Sequence, residues 1–152
     1  MPAHSDQQIL PYTTQQIFDL VADIESYPQF LPWCRAARVI EQGDGEFLGE
    51  LVIAFKHLTE SYTSRVVGKR PASAQDAASL DVTMVKGPFE YLVNRWRFVP
   101  VSGGVEVDFF LDFKFRSRLL EMMIGPLFRK STDTMVDAFK QRAAQLYGAS
   151  KP

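Results

Sequence analysis

Tyr27-Pro28-Gln29-Phe30-Leu31-Pro32-Trp33-Cys34 packs three aromatic side chains, two prolines and a leucine into eight residues. Each proline lacks an N–H donor and crowds the preceding turn, so no helix is expected to tolerate this spacing. A central strand would lose ladder bonds at both positions. The stretch therefore reads as a rigid apolar corner. Immediately before it, Thr13 or Thr14 is placed to cap a helix over Gln15–Ala22, with Ile17, Phe18 and Val21 on one face. Asp23 precedes a second short helical piece leading to Tyr27-Pro28. Ahead of these, Ile9-Leu10 before Pro11 predicts a short first strand.

Beyond the corner the apolar period changes from helical to two. From Ala37 a strand runs into the turn Gly43-Asp44-Gly45, a hairpin signal. The next run alternates Phe47, Gly49, Leu51, Ile53 and Phe55 with Glu46, Leu48, Glu50, Val52 and Ala54. Tyr62, Ser64 and Val66 mark a further strand, and Leu80, Val82 and Met84 another, with a loop over 69–78 between them. Gly87-Pro88 ends the latter. Leu92, Asn94, Trp96 and Phe98 alternate with Val93, Arg95, Arg97 and Val99. After Gly103-Gly104, an almost unbroken inward row of Val105, Val107, Phe109, Leu111, Phe113 and Phe115 forms the clearest strand of the chain.

Helical spacing returns over Arg116–Tyr147, where Ile124, Phe128, Met135, Phe139, Ala143 and Leu146 trace one stripe. Gly125-Pro126 predicts a kink or restart near the beginning, and Gly148 a stop. The order strand, two short helices, strand meander, long helix is an α+β architecture. Its sheet must bend round the only long helix available to cover it. With 152 residues, 46% of them hydrophobic, and no internal linker, the chain is expected to form one domain over 1–152, its core at about 5–147.

Composition narrows the chemistry. A net charge of −1 gives no global attraction to nucleic acid or an anionic surface. The single cysteine, Cys34, forbids an internal disulfide and suits a reducing compartment. With only His4 and His57 beside it, a zinc site is not expected, and Cys34 has no base to activate it. His57, beside Lys56 at a strand end, is a poor candidate for catalysis. Glu106, Asp108 and Asp112 share the outer face of the last strand and are expected to pair with neighbouring cations. An enclosed acid/base dyad is not expected there. Met1–Gln8 holds no Arg or Lys and no apolar run, which argues against a secretory signal or mitochondrial presequence. The expectation is a bacterial cytoplasmic protein.

Tyr27-Pro28-Gln29-Phe30-Leu31-Pro32-Trp33-Cys34 after Ile17-Phe18-Asp19-Leu20-Val21-Ala22-Asp23-Ile24-Glu25-Ser26 resembles the opening of the coenzyme Q-binding family within the START/polyketide-cyclase-like (SRPBCC) superfamily. Gly87-Pro88-Phe89, followed by Leu92 and Trp96-Arg97-Phe98, matches the same family. With Leu58–Ser64 and the terminal helix, the resemblance spans about residues 5–147. It implies a helix-grip fold, START/Bet v 1-like, in which a curved antiparallel β-sheet wraps a long C-terminal helix, with two short helices after the first strand.

The resemblance implies a non-enzymatic carrier that binds ubiquinone, or a similar isoprenoid lipid, in an apolar cavity and supports respiratory electron transfer. Ubiquinone is then cargo, and no cofactor is expected. Partners implied are respiratory complexes and a transient contact with the inner membrane. In such a fold the corner lies at the cavity mouth, so Phe30, Leu31 and Trp33 are expected as gate or wall, partly exposed. The inward rows then line a tunnel: Leu51, Ile53, Phe55, Tyr62, Met84, Trp96, Phe98, Phe109, Leu111 and Phe113 from the sheet. Met123, Phe128 and Met135 face them from the helix. Tyr62, Ser64 or Asn94 would orient the quinone oxygens. The same family includes ribosome-association toxin-like members, so binding to the large ribosomal subunit is the alternative. A polyketide cyclase-like enzyme is a third reading on superfamily analogy. Arg65, Arg95, Arg97, Arg116, Arg118, Arg129 and Lys130 are expected to be a solvated surface or, less simply, a patch for headgroups or RNA.

Overall fold

A computed structural model describes residues 4–148 apart from Lys56, His57 and Ala74; His57 thus lies outside the described residues. Strands β1 (His4–Leu10), β2 (Cys34–Gln42), β3 (Glu46–Phe55), β4 (Leu58–Lys69), β5 (Ala78–Lys86), β6 (Phe89–Val101) and β7 (Gly104–Phe115) form one sheet. All pairings are antiparallel, in the order β1-β7-β6-β5-β4-β3-β2. Strands β2 to β7 are a simple meander, and β1 adds to the free edge of β7 with Leu10 opposite Val105.

The expected face alternation holds along β3, β6 and β7, whereas in β4 Thr63 is buried together with Tyr62 and Ser64 beside the register shift at Thr63/Ser64. In β7 every odd residue from Val105 to Phe115 is buried. Register shifts at Cys34/Ala36, Val39/Glu41, Thr63/Ser64 and Phe89/Tyr91 bend the ladders. Such bulges sharpen local twist and curve a sheet, here toward the helices. At the Gly43-Asp44-Gly45 turn, Gly45 has φ +76°, a left-handed conformation that glycine adopts without penalty. Strand β2 starts three residues earlier than its periodicity indicates, because Cys34 already pairs with Ile53.

Helix α1 (Thr14–Ala22) is closed by a capping box in which Thr13 and Gln16 satisfy each other's backbone N–H. A 3₁₀ turn over Ile24–Gln29 follows and contains Pro28. This overturns the expectation that no helix tolerates the proline spacing: Pro28 excludes an α-helix but not this tighter, shorter form, in which one missing donor interrupts little.

The C-terminal segment departs from the expected single helix. It forms α2 (Arg118–Asp133) and α3 (Met135–Tyr147), broken at Thr134. Pro126 stays inside α2 on its exposed side, where water can serve the carbonyl left without a donor. The break falls instead in Ser131-Thr132-Asp133-Thr134, short polar residues that compete for the backbone. Thr132 and Thr134 each donate a hydroxyl to a carbonyl three residues back. Leu146, expected in the buried stripe, is exposed; Tyr147 holds the last turn instead, donating to the Gln16 carbonyl and leaning on Tyr12.

The core is organised by one aromatic residue on each C-terminal helix. Phe128 of α2 meets Trp33, Phe55, Phe89, Phe113 and Phe115, with ring centroids 4.9–6.1 Å away. Phe139 of α3 meets Tyr27, Phe30 and Trp96 at 5.1–5.3 Å. Edge-to-face pairs of this kind add roughly 0.5–1.5 kcal/mol each beyond burial.

Candidate functional site

The bent sheet and α3 do not close completely. Between them lies an internal cavity of about 60 Å³ with predominantly apolar walls. Strand parity fixes who faces it: Leu51 of β3, Tyr62, Ser64 and Val66 of β4, Leu80 and Val82 of β5, and Asn94 and Trp96 of β6. Helix spacing supplies Met135 and Phe139, four residues apart on α3. The corner and its approach contribute Ile24, Tyr27 and Trp33. Gly49 also lines it, because a Cβ there would overlap the Ile24 side chain.

Polar groups on these walls differ in how they are satisfied. Asn94 is engaged by the protein itself: its amide donates to the Phe110 carbonyl at 2.9 Å, and its oxygen accepts from Trp96 Nε1 at 2.9 Å. The Tyr27 hydroxyl donates to the Val21 carbonyl. The Ser64 hydroxyl is buried with no hydrogen-bond partner among the described residues. Burial pushes the Tyr62 and Tyr27 phenols far above their ordinary range, so both stay protonated donors. Burial likewise pushes the Cys34 thiol up to about 11, which suppresses the thiolate a nucleophile requires.

Outside the wall, a groove of about 460 Å³ runs between the corner and the end of α2, lined by Pro32, Trp33, Ala54, Phe55, Leu127 and Thr134 among others. Trp33 lines both the groove and the cavity.

The expected site residues therefore separate into groups. Trp33, Leu51, Tyr62, Trp96 and Met135 meet at the cavity. Phe55, Phe113 and Phe128 form a filled aromatic cluster under α2, so the expected tunnel is open in one half and solid in the other. Ile53, Phe98, Phe109 and Leu111 are buried in packing, and Met84 and Phe30 pack half-buried against the core. Met123, expected to face the sheet, is 52% exposed on the outer side of α2. Leu31 and Trp33, expected to be partly exposed at a gate, are buried, at 1% and 7% exposure. The turn explains this: Leu31 N–H donates to the Tyr27 carbonyl and Cys34 N–H to the Leu31 carbonyl, folding the leucine inward while Gln29 and Pro32 take the outside.

Periodicity could have found Val66, Leu80, Val82 and Phe139, which continue the rows already recognised. Val21 continues the apolar face of α1, whereas Ile24 and Tyr27 carry no such signal, since their approach depends on the path of the 3₁₀ turn. Glu106, Asp108 and Asp112, expected to pair with cations, meet none in an ion pair among the described residues and accept from neutral side chains instead. Gln7 donates to both Glu106 and Asp108, and Tyr91 to Asp112. Arg65, Arg97 and Arg129 pair with Glu46, Asp81 and Glu121. Among the described residues no helix is long and apolar enough to cross a membrane.

Residues 10–140 match the family model for polyketide cyclase/dehydrase and lipid transport. The chain is 45% identical to the ribosome association toxin RatA of Rickettsia prowazekii, over 91% of this chain and 94% of that protein. It is 30% identical to the mitochondrial coenzyme Q-binding protein COQ10 homolog B of Xenopus laevis, over 95% of this chain and 59% of that one. Among solved structures, the 18 kDa protein CC1736 of Caulobacter crescentus is 34% identical, with a TM-score of 0.73, 98% of this chain and 100% of that chain being covered. A helix-grip sheet closed over an apolar cavity and a match across most of the sequence agree: the chain belongs to the polyketide cyclase/dehydrase and lipid transport family.

Proposed function

We propose that this protein is a carrier for a slender apolar lipid, and that an isoprenoid quinone of the ubiquinone type is its cargo. The observation that carries the reading is the Ser64 hydroxyl, buried and unpartnered on the wall of an otherwise apolar cavity, beside the protonated Tyr62 phenol. A quinone offers carbonyl acceptors at one end and apolar surface along the rest. Burying that surface yields about 25 cal/mol per Å² before binding costs, so the walls supply affinity and the two hydroxyls supply orientation. Cysteine and phenol groups held protonated support binding over catalysis.

At 60 Å³ the cavity is smaller than the roughly 150 Å³ that accommodates a benzene ring. Cargo therefore enters by displacing a wall. Trp33 is the wall shared with the outer groove, and the α2–α3 break beside it is the place where the helices can part. Both tryptophans, Trp33 and Trp96, line the cavity. Titration with a short-tailed ubiquinone should quench their fluorescence saturably, and lipid extracted from the purified protein should contain quinone. Absence of both results would refute the carrier.

A second reading, association with the ribosome, is favoured by one observation: the relative named a ribosome association toxin matches at 45% identity, against 30% for the coenzyme Q-binding relative. Cosedimentation with ribosomes across a salt series tests it. A phosphate-directed contact should weaken steeply with salt, whereas quinone quenching should be nearly salt-independent.

A further inference from the structure

Helix α2 carries a second apolar stripe that the cavity does not use. Leu119, Met122, Met123 and Pro126 stand at i, i+3, i+4 and i+7, on the side of the helix opposite the buried Ile124, Phe128 and Thr132. Leu119 is 65% and Met122 77% exposed, and Pro126 is exposed beside them. Single exposed apolar residues are ordinary, but a contiguous stripe along one helix face marks a contact.

The charge around this stripe identifies the partner. Arg116 and Arg118 stand at its start and Lys130 at its far end, all exposed. Among the described residues Arg118 and Lys130 meet no carboxylate in an ion pair. Glu121, the one carboxylate between Leu119 and Pro126, is held by two hydrogen bonds from Arg129. Apolar side chains flanked by free cations, on a helix lying flat on a globule, suit the interface of an anionic bilayer.

We propose that the outer face of α2 docks this protein on an anionic lipid bilayer, with Leu119, Met122 and Met123 inserted among the acyl chains and Arg118 and Lys130 on the headgroups. The inference goes beyond the carrier reading, because vesicle binding is measured with no cargo present and can hold or fail independently of quinone binding. In a docked protein, the groove at Leu127 and Thr134 would lie beside the membrane.

Vesicles of phosphatidylcholine, with and without phosphatidylglycerol, test it by cosedimentation. The protein should partition at least tenfold more strongly onto the anionic vesicles. Leu119→Gln/Met122→Gln should lose that binding at least tenfold with an unchanged melting temperature, since both residues are exposed. Arg118→Gln/Lys130→Gln should reduce anionic binding to the neutral level. A polarity-sensitive dye on Met122→Cys, with Cys34 buried, should shift to the blue on anionic vesicles. Equal pelleting of the double variant and the parent overturns the proposal, as does an unshifted dye. So does a stripe substitution that only splits a dimer or only releases ribosomes.

Discussion

The indole of Trp33 stands edge-on to the ring of Phe128, centroids 6.1 Å apart and planes at 73°. Trp33 belongs to the corner between the 3₁₀ turn and β2, and Phe128 to α2, so this contact ties the rim of the cavity to the helix that covers its filled half. Trp33 also lines both the cavity and the outer groove, and we expect this contact to hold a partition between them.

Trp33→Ala should therefore join the two spaces. We expect it to cost about 3–5 kcal/mol of stability and to raise the rate of quinone exchange between vesicles several-fold. Trp33→Phe, which keeps an edge toward Phe128, should stay within about 1.5 kcal/mol of the parent. Transfer kinetics and denaturant melts on the same preparations decide it. Slower exchange in Trp33→Ala would show that the indole is a ligand contact and not a partition.

Ser64→Ala separates a functional hydroxyl from a structural one. A buried hydroxyl without a partner costs roughly 1–3 kcal/mol, so its removal should leave the empty protein equally stable or slightly more so. Quinone affinity should fall several-fold, since the Tyr62 donor remains. Thermal melts combined with tryptophan quenching measure both. If stability drops while affinity stays constant, Ser64 is core and does not meet the cargo.

Strand faces were legible in the sequence wherever one face is buried, because a one-residue slip would turn every side chain of Val105–Phe115 outward. The hairpin at Gly43-Asp44-Gly45 was equally legible, since its conformation demands glycine. The break at Thr134 was not. Gly125-Pro126 is the stronger local breaker, yet solvent exposure makes Pro126 tolerable, and exposure is a property of the assembled fold. The same applies to the site. Periodicity shows that Leu51, Ile53, Phe109 and Leu111 all point inward, but whether an inward residue meets a cavity or another side chain depends on the volumes opposite it. Near Phe128 aromatic rings fill the space; near Met135 they leave it open.

Leu31→Ser tests the corrected reading of the corner. With Leu31 at 1% exposure, the substitution both opens a cavity and buries a hydroxyl, so a loss of about 2–5 kcal/mol is expected. Vesicle binding, which depends on α2, should persist at temperatures where the variant is folded. An unchanged melting temperature would return the leucine to an exposed gate.

Face polarity on β7 gives a sharper stability contrast. Phe109→Asp or Leu111→Asp would bury an unpaired carboxylate in the core and should prevent folding. Asp108 accepts a hydrogen bond from Gln7 on the outer face at 2.6 Å. Its replacement by Ala should cost no more than about 1 kcal/mol. Circular dichroism and melting of the three variants provide the measurement. Comparable losses in all three would mean that the strand is inverted.

The cysteine provides a test in pH. Burial raises the Cys34 thiol from its ordinary value near 9 to about 11 in the folded protein, whereas the unfolded chain keeps the ordinary value. Below pH 9 both states hold the proton, and the stability associated with the neutral thiol is fully present. As pH rises from 9, the unfolded state releases its proton first, so stability falls and continues to fall until pH passes about 11. Tyr27 and Tyr62, raised by the same burial, extend the loss to still higher pH. Melting temperature should therefore be flat up to about pH 9 and decline above it, and the decline should become smaller in Cys34→Ala. At pH 8 a thiol reagent such as dithionitrobenzoate should react with Cys34 only as fast as the protein opens. Rapid stoichiometric reaction in the native state, or identical alkaline melting profiles for the parent and Cys34→Ala, would show that the thiol is not held neutral by burial at the corner.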